Sequence, residues 1–243
     1  MFFERKILLN LHINSKIVNM NEQTAVIIGA SGLIGNHLVE QMLHDEYFST
    51  VKVLVRRGLA FDHPKLQQVI VDFDDFDNYA DNFGIGDIIF CCVGTTQKKV
   101  NGDKIAYAKV DHDIPVNAAQ IGIDNGFKKF LVISSIGANP ISNNFYLRLK
   151  GKMEKDIKQF PFQSISIFRP SILLGKRNES RPGEKIGQVF MNAFSFLLIG
   201  SIKKYRPVKA EDVAKAMIAQ SKKEEIGIHI LEYQQMKQLF KTS

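Results

Sequence analysis

The stretch "TAVIIGASGLIGNHLVEQML", residues 24–43, decides the fold. Thr24–Ile28 reads as a short buried strand, and Leu33 to Met42 carries helical periodicity through Leu33, Ile34, Leu38 and Met42. Gly29, Gly32 and Gly35 span the turn between them. A helix that starts straight after a glycine turn points its free N–H groups at whatever sits there, which favours a phosphate. The first glycine permits the tight turn, the second lets a pyrophosphate approach the backbone, and the third lets helix and strand pack closely. A glycine triplet alone is weak evidence; flanked by a strand and a helix it is much stronger, and a ligand-free βα turn is the lesser alternative.

Outward from this unit, "VKVLVRRG" gives a second strand, Val51–Val55, ending in Arg56–Arg57. An acidic residue here would hold a ribose 2′-OH, whereas arginine suits a 2′-phosphate, so the expected cofactor is NADP(H). Solvated loop arginines are the plainer alternative. A third strand, "LQQVIVD", ends at Asp72, placed for an adenine contact or a simple turn role. "DIIFCCVGTT" is a nearly uniformly apolar fourth strand running into Gly94-Thr95-Thr96, and Gly94 would let the cofactor's middle pass close to the backbone. Residues 105–125 read as a helix, with Pro115 tolerable near its first turn or as a kink. "KKFLVISSIGA" is a fifth strand ending at Ser134–Ser135, and "FQSISIFRPS" a sixth ending at Arg169–Pro170. Apolar strands alternating with helices indicate an α/β fold with a doubly wound parallel sheet.

Between the fifth and sixth strands lies "SNNFYLRLKGKME", with Tyr146 and Lys150 on one helical face. Alone, the spacing is as compatible with a surface pair. In an open α/β sheet, however, ligands sit at the carboxyl ends of the strands. Ser135, Tyr146 and Lys150 can therefore face the nicotinamide end of a dinucleotide whose pyrophosphate rests on Gly32.

At this point the chain resembles the short-chain dehydrogenase/reductase superfamily, through the glycine triplet, Ser135 and Tyr146-x-x-x-Lys150. More narrowly, "GASGLIG", "VRRG", "CCVGTT", "SSIGA", "NNFYLRLKGKME", "FRPSILLG" and "ESRPGE" resemble the Tat-interacting-protein group of atypical members, over about residues 22 to 220. The resemblance implies that Tyr146 is the general acid at a carbonyl oxygen, that Lys150 favours its phenolate and holds the nicotinamide ribose, and that Ser135 hydrogen-bonds the carbonyl. It extends the cofactor contacts to Ser31, Leu33, Ile34, Val93, Thr95, Pro170, Ile172 and Arg181. Arg181, in "ESRPGE", would close over the cofactor or a substrate anion; an ion pair with a local carboxylate is an equal alternative. Many family members carry an Asn of a proton relay after strand four; here the matching place holds Asp111, with Asn117 further along, and neither is assigned.

The chain has 243 residues, 45% apolar and 23% charged, ordinary for a globular protein with a full core. It reads as one domain over residues 22–243, with 1–21 an N-terminal extension (translation starting at Met20 is an alternative) and about 171–208 a small substrate lobe. "IGQVFMNAFSFLLIG", 186–200, would be lobe core, a substrate roof or the face of a homodimer. "KAEDVAKAMIAQ", 209–220, is expected as a capped amphipathic helix packed on the sheet.

The net charge of +7 comes from 32 basic and 25 acidic residues spread along the chain without an aromatic stripe, which argues against a nucleic-acid partner. No stretch reaches the roughly 20 apolar residues of a membrane span, and no signal peptide is evident. Adjacent Cys91 and Cys92 point to opposite faces and are poorly placed to pair. They lack an evident His partner, which argues against a thiol nucleophile. The histidines show no metal-ligand spacing. The expectation is a cytoplasmic NADP(H)-dependent oxidoreductase with a small carbonyl or alcohol substrate; the alternative is a non-catalytic NADP(H)-responsive regulator of the same fold.

Overall fold

The computed structural model describes residues 23–175 and 200–241. The N-terminal extension, Arg181 with the rest of "ESRPGE", and nearly all of the apolar 186–200 segment lie outside the described residues, as does most of the expected substrate lobe.

Seven strands form one sheet: β1 (Gln23–Ile28), β2 (Phe48–Val55), β3 (Leu66–Ile70), β4 (Ile88–Cys91), β5 (Lys129–Ile133), β6 (Ser164–Phe168) and β9 (Gly227–Leu231). Their order is β3-β2-β1-β4-β5-β6-β9, and every neighbouring pair is parallel. Two further short strands, β7 (Leu173–Leu174) and β8 (Val208–Lys209), pair with each other. The chain leaves the third strand at the sheet edge and re-enters beside the first, so the crevice between the ends of β1 and β4 is a topological switch point. The expected parallel doubly wound sheet is what is observed.

Helices cover both faces. On one lie α1 (Leu33–Leu43), α6 (Ala210–Ser221) and α7 (Tyr233–Lys241), packed on Ala25, Ile27, Val51, Val53 and Phe90. On the other lie α2 (Phe76–Phe83), α4 (Ile114–Asp124) and α5 (Phe145–Ile157), packed on Val26, Ile28, Leu54, Ile89 and Phe130. Consecutive strand residues thus feed alternate cores, as a period of two requires. Cys91 is buried in the second core, while Cys92 packs against the first.

Four local readings change. β2 begins at Phe48, three residues before the expected start, because Phe48 is buried as deeply as the central residues. The helix expected over 105–125 is three pieces: α3 (Lys104–Ala108), a π-helical turn Lys109–Asp113, and α4, whose first turn holds Pro115. The 209–220 helix forms as α6, but its N-cap, Lys209, makes no side-chain cap bond; Glu211 and Asp212 in the first turn supply the favourable charge instead. β9, α2 and α7 were not expected.

Candidate active site

The glycine turn is built as the spacing requires. Gly29 has φ +88°, and a Cβ there would lie 2.7 Å from the Cys92 carbonyl carbon, so β1 and β4 meet backbone to backbone at this point. The Gly32 N–H donates to the Gly29 carbonyl at 2.9 Å and closes the turn. Gly35 packs on that same carbonyl, where a Cβ would stand 2.1 Å from the oxygen. Gly32 is the N-cap of α1 and, having no side chain, caps nothing. The first-turn amides around Leu33, Ile34 and Gly35 therefore face the switch-point crevice beside Ser31 without a side-chain acceptor, and a cradle that a Cβ would fill is left open. These residues fit the pyrophosphate of a dinucleotide.

Arg56 and Arg57 follow β2 directly, are exposed, and take no carboxylate partner among the described residues. Asp72 is exposed after β3; its Oδ1 accepts the Asp74 N–H at 2.9 Å and its own N–H donates to Asn78 Oδ1 at 2.9 Å. The turn role of Asp72 is thus realised.

The loop after β4 brings Val93, Gly94 and Thr95 towards α5. The Thr95 N–H donates to Asp111 Oδ2 at 2.7 Å, and the Tyr107 hydroxyl donates to the Thr95 carbonyl at 3.2 Å. A Cβ on Gly94 would lie 3.6 Å from Asp111 Oδ1. Asp111, in the π-helical turn, is 2% exposed at its side chain and forms an ion pair with Lys150 Nζ at 3.0 Å. Lys150 is equally enclosed and also donates to the Ile133 carbonyl at the end of β5, at 3.4 Å. Burial alone would lower the Lys150 pKa, but the Asp111 carboxylate, with a smaller contribution from Tyr146, outweighs it and leaves the ammonium above the ordinary lysine value.

Tyr146 is half-buried one turn before Lys150, its ring edge-on to Tyr107 with centroids 6.3 Å apart. Tyr107 is likewise edge-on to Phe145 at 5.8 Å. The helix carrying both residues starts at Asn144, whose side chain accepts the Leu147 N–H, and Gly151 lets it pass close to the Asn139–Pro140 backbone.

The two serines after β5 diverge. Ser134 is buried and donates to Glu154 Oε1 at 2.5 Å. Ser135 is half-buried, and among the described residues its hydroxyl has only a long bond to the Ile136 carbonyl at 3.3 Å. Ser135 is therefore the serine with a hydroxyl to offer a ligand. Its loop is held to the next strand end by the Ile136 N–H, which donates to the Pro170 carbonyl at 3.0 Å; two residues on, the Ile172 carbonyl accepts the Val208 N–H at 3.0 Å.

The two thiols are set apart from this chemistry. Burial pushes the Cys91 pKa up to about 12 and holds that of Cys92 well above the usual thiol range. One participant and one partnership escaped the sequence reading. Tyr107 carries no motif, and the partnership of Asp111 with Lys150 depends on the π-helical turn.

A family model described as NAD(P)H-binding matches residues 29–224. Protein HTATIP2 of Rattus norvegicus is 36% identical over 193 residues, 78% of each chain. Protein FMP52, mitochondrial, of Candida glabrata is 34% identical over 205 residues, 81% of this chain and 84% of that one. Among solved structures, a UDP-N-acetylglucosamine 4-epimerase from Methanobrevibacter ruminantium M1 superposes with a TM-score of 0.66 at 18% identity, over 91% of this chain and 81% of that one. MoeE5, in complex with UDP-glucuronic acid and NAD, gives 0.65 at 16%, over 86% and 75%. At such identities the structures speak for the fold alone. The expectation of a cytoplasmic protein is overturned by the fungal relatives, whose names place them in the mitochondrion.

Proposed function

The chain belongs to the NAD(P)H-binding family, within the Rossmann class of short-chain dehydrogenases/reductases, and on that premise we propose that it is an NADP(H)-dependent oxidoreductase acting on a small carbonyl or alcohol. The observation that carries the reading is the placement of Lys150. Its ammonium is buried at the end of β5, one turn from Tyr146, beside the loop that carries Gly94 and Thr95. A surface Tyr–Lys pair would leave the lysine in solvent.

In this reading the turn from Gly29 to Gly35 holds the pyrophosphate, Arg56 and Arg57 the 2′-phosphate, and Thr95 and Lys150 the ribose side of the cofactor. When bound, the nicotinamide supplies or takes up hydride. Ser135 donates a hydrogen bond to the substrate oxygen and fixes the carbonyl. Tyr146 gives that oxygen its proton during reduction and removes it during oxidation. Lys150, held charged, favours the phenolate form that Tyr146 passes through. The names of the FMP52 relatives support a mitochondrial location.

The test is a dehydrogenase screen with NADPH and NADH across aldehydes, ketones and quinones, followed by Tyr146→Phe. On any substrate found, the variant should lose about 10²–10⁴ in turnover, the usual worth of general acid–base catalysis, while keeping its NADPH affinity. Undiminished turnover by Tyr146→Phe would remove the proposed acid. Tight NADPH binding by the parent with no turnover across the screen would favour a cofactor-sensing protein.

A further inference from the structure

The π-helical turn Lys109–Asp113 does three things with three of its residues. Lys109 forms an ion pair with Asp74, after β3, at 2.8 Å. Asp111 points inward to Lys150 and to the Thr95 amide. His112 points outward, between Asp113 at 2.8 Å and Asp156 of α5 at 2.9 Å. A π turn inserts one residue into the helical ladder and rotates the next turn of helix, and such turns concentrate at functional sites.

The two oxygens of the Asp111 carboxylate divide the work: Oδ2 accepts the Thr95 N–H and Oδ1 faces the Lys150 ammonium. An amide at this position has one acceptor oxygen; keeping the Thr95 N–H with it would turn the NH2 on the ammonium. The carboxylate also adds charge. Lys150 is 3% exposed at its side chain, so water contributes almost nothing to its ammonium. A buried lysine without an anion sheds its proton rather than stay charged. The groups facing Lys150 are Asp111 from the π turn, Tyr146 from its own helix, Cys91 from β4 and the Ile133 carbonyl from β5. Cys91 is held as a neutral thiol, so Asp111 is the anion available at neutral pH.

We propose that Asp111 is a positioning residue: its carboxylate keeps Lys150 charged and fixed, and ties it to the Thr95 amide so that the ribose side of the cofactor meets one rigid unit. This rests on the role of Lys150 in the proposed oxidoreductase. The unit joins the loop after β4 to the end of β5 and to the helix of Tyr146. Asp111 itself touches neither substrate nor cofactor; it acts through Lys150 and Thr95.

The experiment uses the full chain and the variants Asp111→Asn and Asp111→Ala, with folding checked by circular dichroism. In carbon-13 lysine-labelled protein without cofactor, Lys150 is identified as the resonance missing from Lys150→Arg. In the parent it should not titrate below about pH 10, the ordinary lysine range; in Asp111→Asn its midpoint should fall to about pH 8 or below, a drop of about two units or more. NADPH affinity, followed by fluorescence and expressed relative to the parent, should then be closest to the parent's for Asp111→Asn at about pH 6.5 and weaken by about a further tenfold towards pH 9 as the ammonium is lost. Asp111→Ala should be weaker at both ends, because the Thr95 N–H also loses its acceptor.

A Lys150 that titrates in the parent well below the ordinary lysine range would overturn the proposal without any variant. So would an unmoved midpoint in Asp111→Asn, or NADPH affinity in that variant that tracks the parent at every pH. If the parent bound no NADPH at all, the oxidoreductase reading would fall, while the titration would still report the effect of Asp111 on Lys150.

Discussion

Arg169 donates twice to Glu154, from Nε at 2.9 Å and from Nη2 at 2.5 Å, and so fastens the end of β6 to the helix that carries Tyr146 and Lys150. Glu154 lies one turn beyond Lys150 on that helix, is 2% exposed, and takes a third bond from Ser134. Three neighbouring elements therefore meet on one carboxylate. Glu154→Ala leaves both a guanidinium and a buried hydroxyl unmatched. The expected loss is about 3 kcal/mol, at the low end for a broken buried ion pair because Arg169 reaches solvent. Urea unfolding measures it, and a loss below about 1 kcal/mol would mean that the cluster does not fasten the helix.

The glycine turn separates two effects. Gly35→Ala places a carbon 2.1 Å from the Gly29 carbonyl oxygen. The turn itself must move, so the variant should lose about 1–3 kcal/mol as an overpacked site does. Gly32→Val meets that oxygen at 3.1 Å and strains the fold less. Its branched side chain stands instead where a pyrophosphate would approach. Its thermal midpoint should fall less than that of Gly35→Ala, and its NADPH affinity should drop by at least about tenfold. Full affinity in Gly32→Val would move the nucleotide site elsewhere.

If Arg56 and Arg57, exposed and without a carboxylate partner among the described residues, hold the 2′-phosphate as proposed, calorimetry should find NADPH bound more tightly than NADH. Replacing both by Ala should shrink the gap by about 2–4 kcal/mol, a factor of tens to hundreds. Because the site is exposed, the preference should weaken with added salt. Equal affinity of the parent for both cofactors would dispose of the assignment.

Cys91 sets a pH dependence. Its folded-state pKa is raised to about 12, whereas an unfolded thiol titrates near 8.5. The folded chain therefore keeps a proton that the unfolded chain loses, and stability falls with rising pH across that window. The slope should be about 1.4 kcal/mol per pH unit for this one group. Comparing the urea midpoints of the parent and Cys91→Ala between about pH 8 and 10 isolates it. The same burial predicts that a thiol reagent at about pH 8 labels Cys91 only on unfolding; rapid labelling of the native chain would revive a nucleophilic role.

The sequence carried β1 to β6 because each is short, holds a run of apolar residues and is followed by a helix or a turn signal. It carried Gly29, Gly32 and Gly35 because their spacing is itself the backbone geometry. β9 was not legible: in "GIHIL" it leaves Ile228 and Ile230 exposed at the sheet edge, so its pattern lacks a buried face. α2 was hidden by its polarity, since "FDNYADNF" buries only Tyr79 and Phe83, and its start rests on the Asp75 cap. The break at Lys109–Asp113 has no breaker residue within it, and periodicity averaged over 105–125 conceals one inserted residue. The Tyr146 and Lys150 helix was readable from spacing; the partner of Lys150 was not, because it lies 39 positions back in the chain, across a turn whose geometry is not local information.

The outermost position of β9 has a consequence for synthesis. β6 is buried along its whole length, yet one of its two neighbours is the strand Gly227–Leu231, made well after it. Until that strand emerges, Ser164–Phe168 offers a row of unpaired amides and carbonyls with Ile165 and Ile167 beside them, a template for pairing with another nascent copy. A chain that stops before Gly227 should keep the nucleotide half intact and still aggregate, so translation past that point, rather than completion of the glycine turn, marks when the protein becomes safe to leave the ribosome.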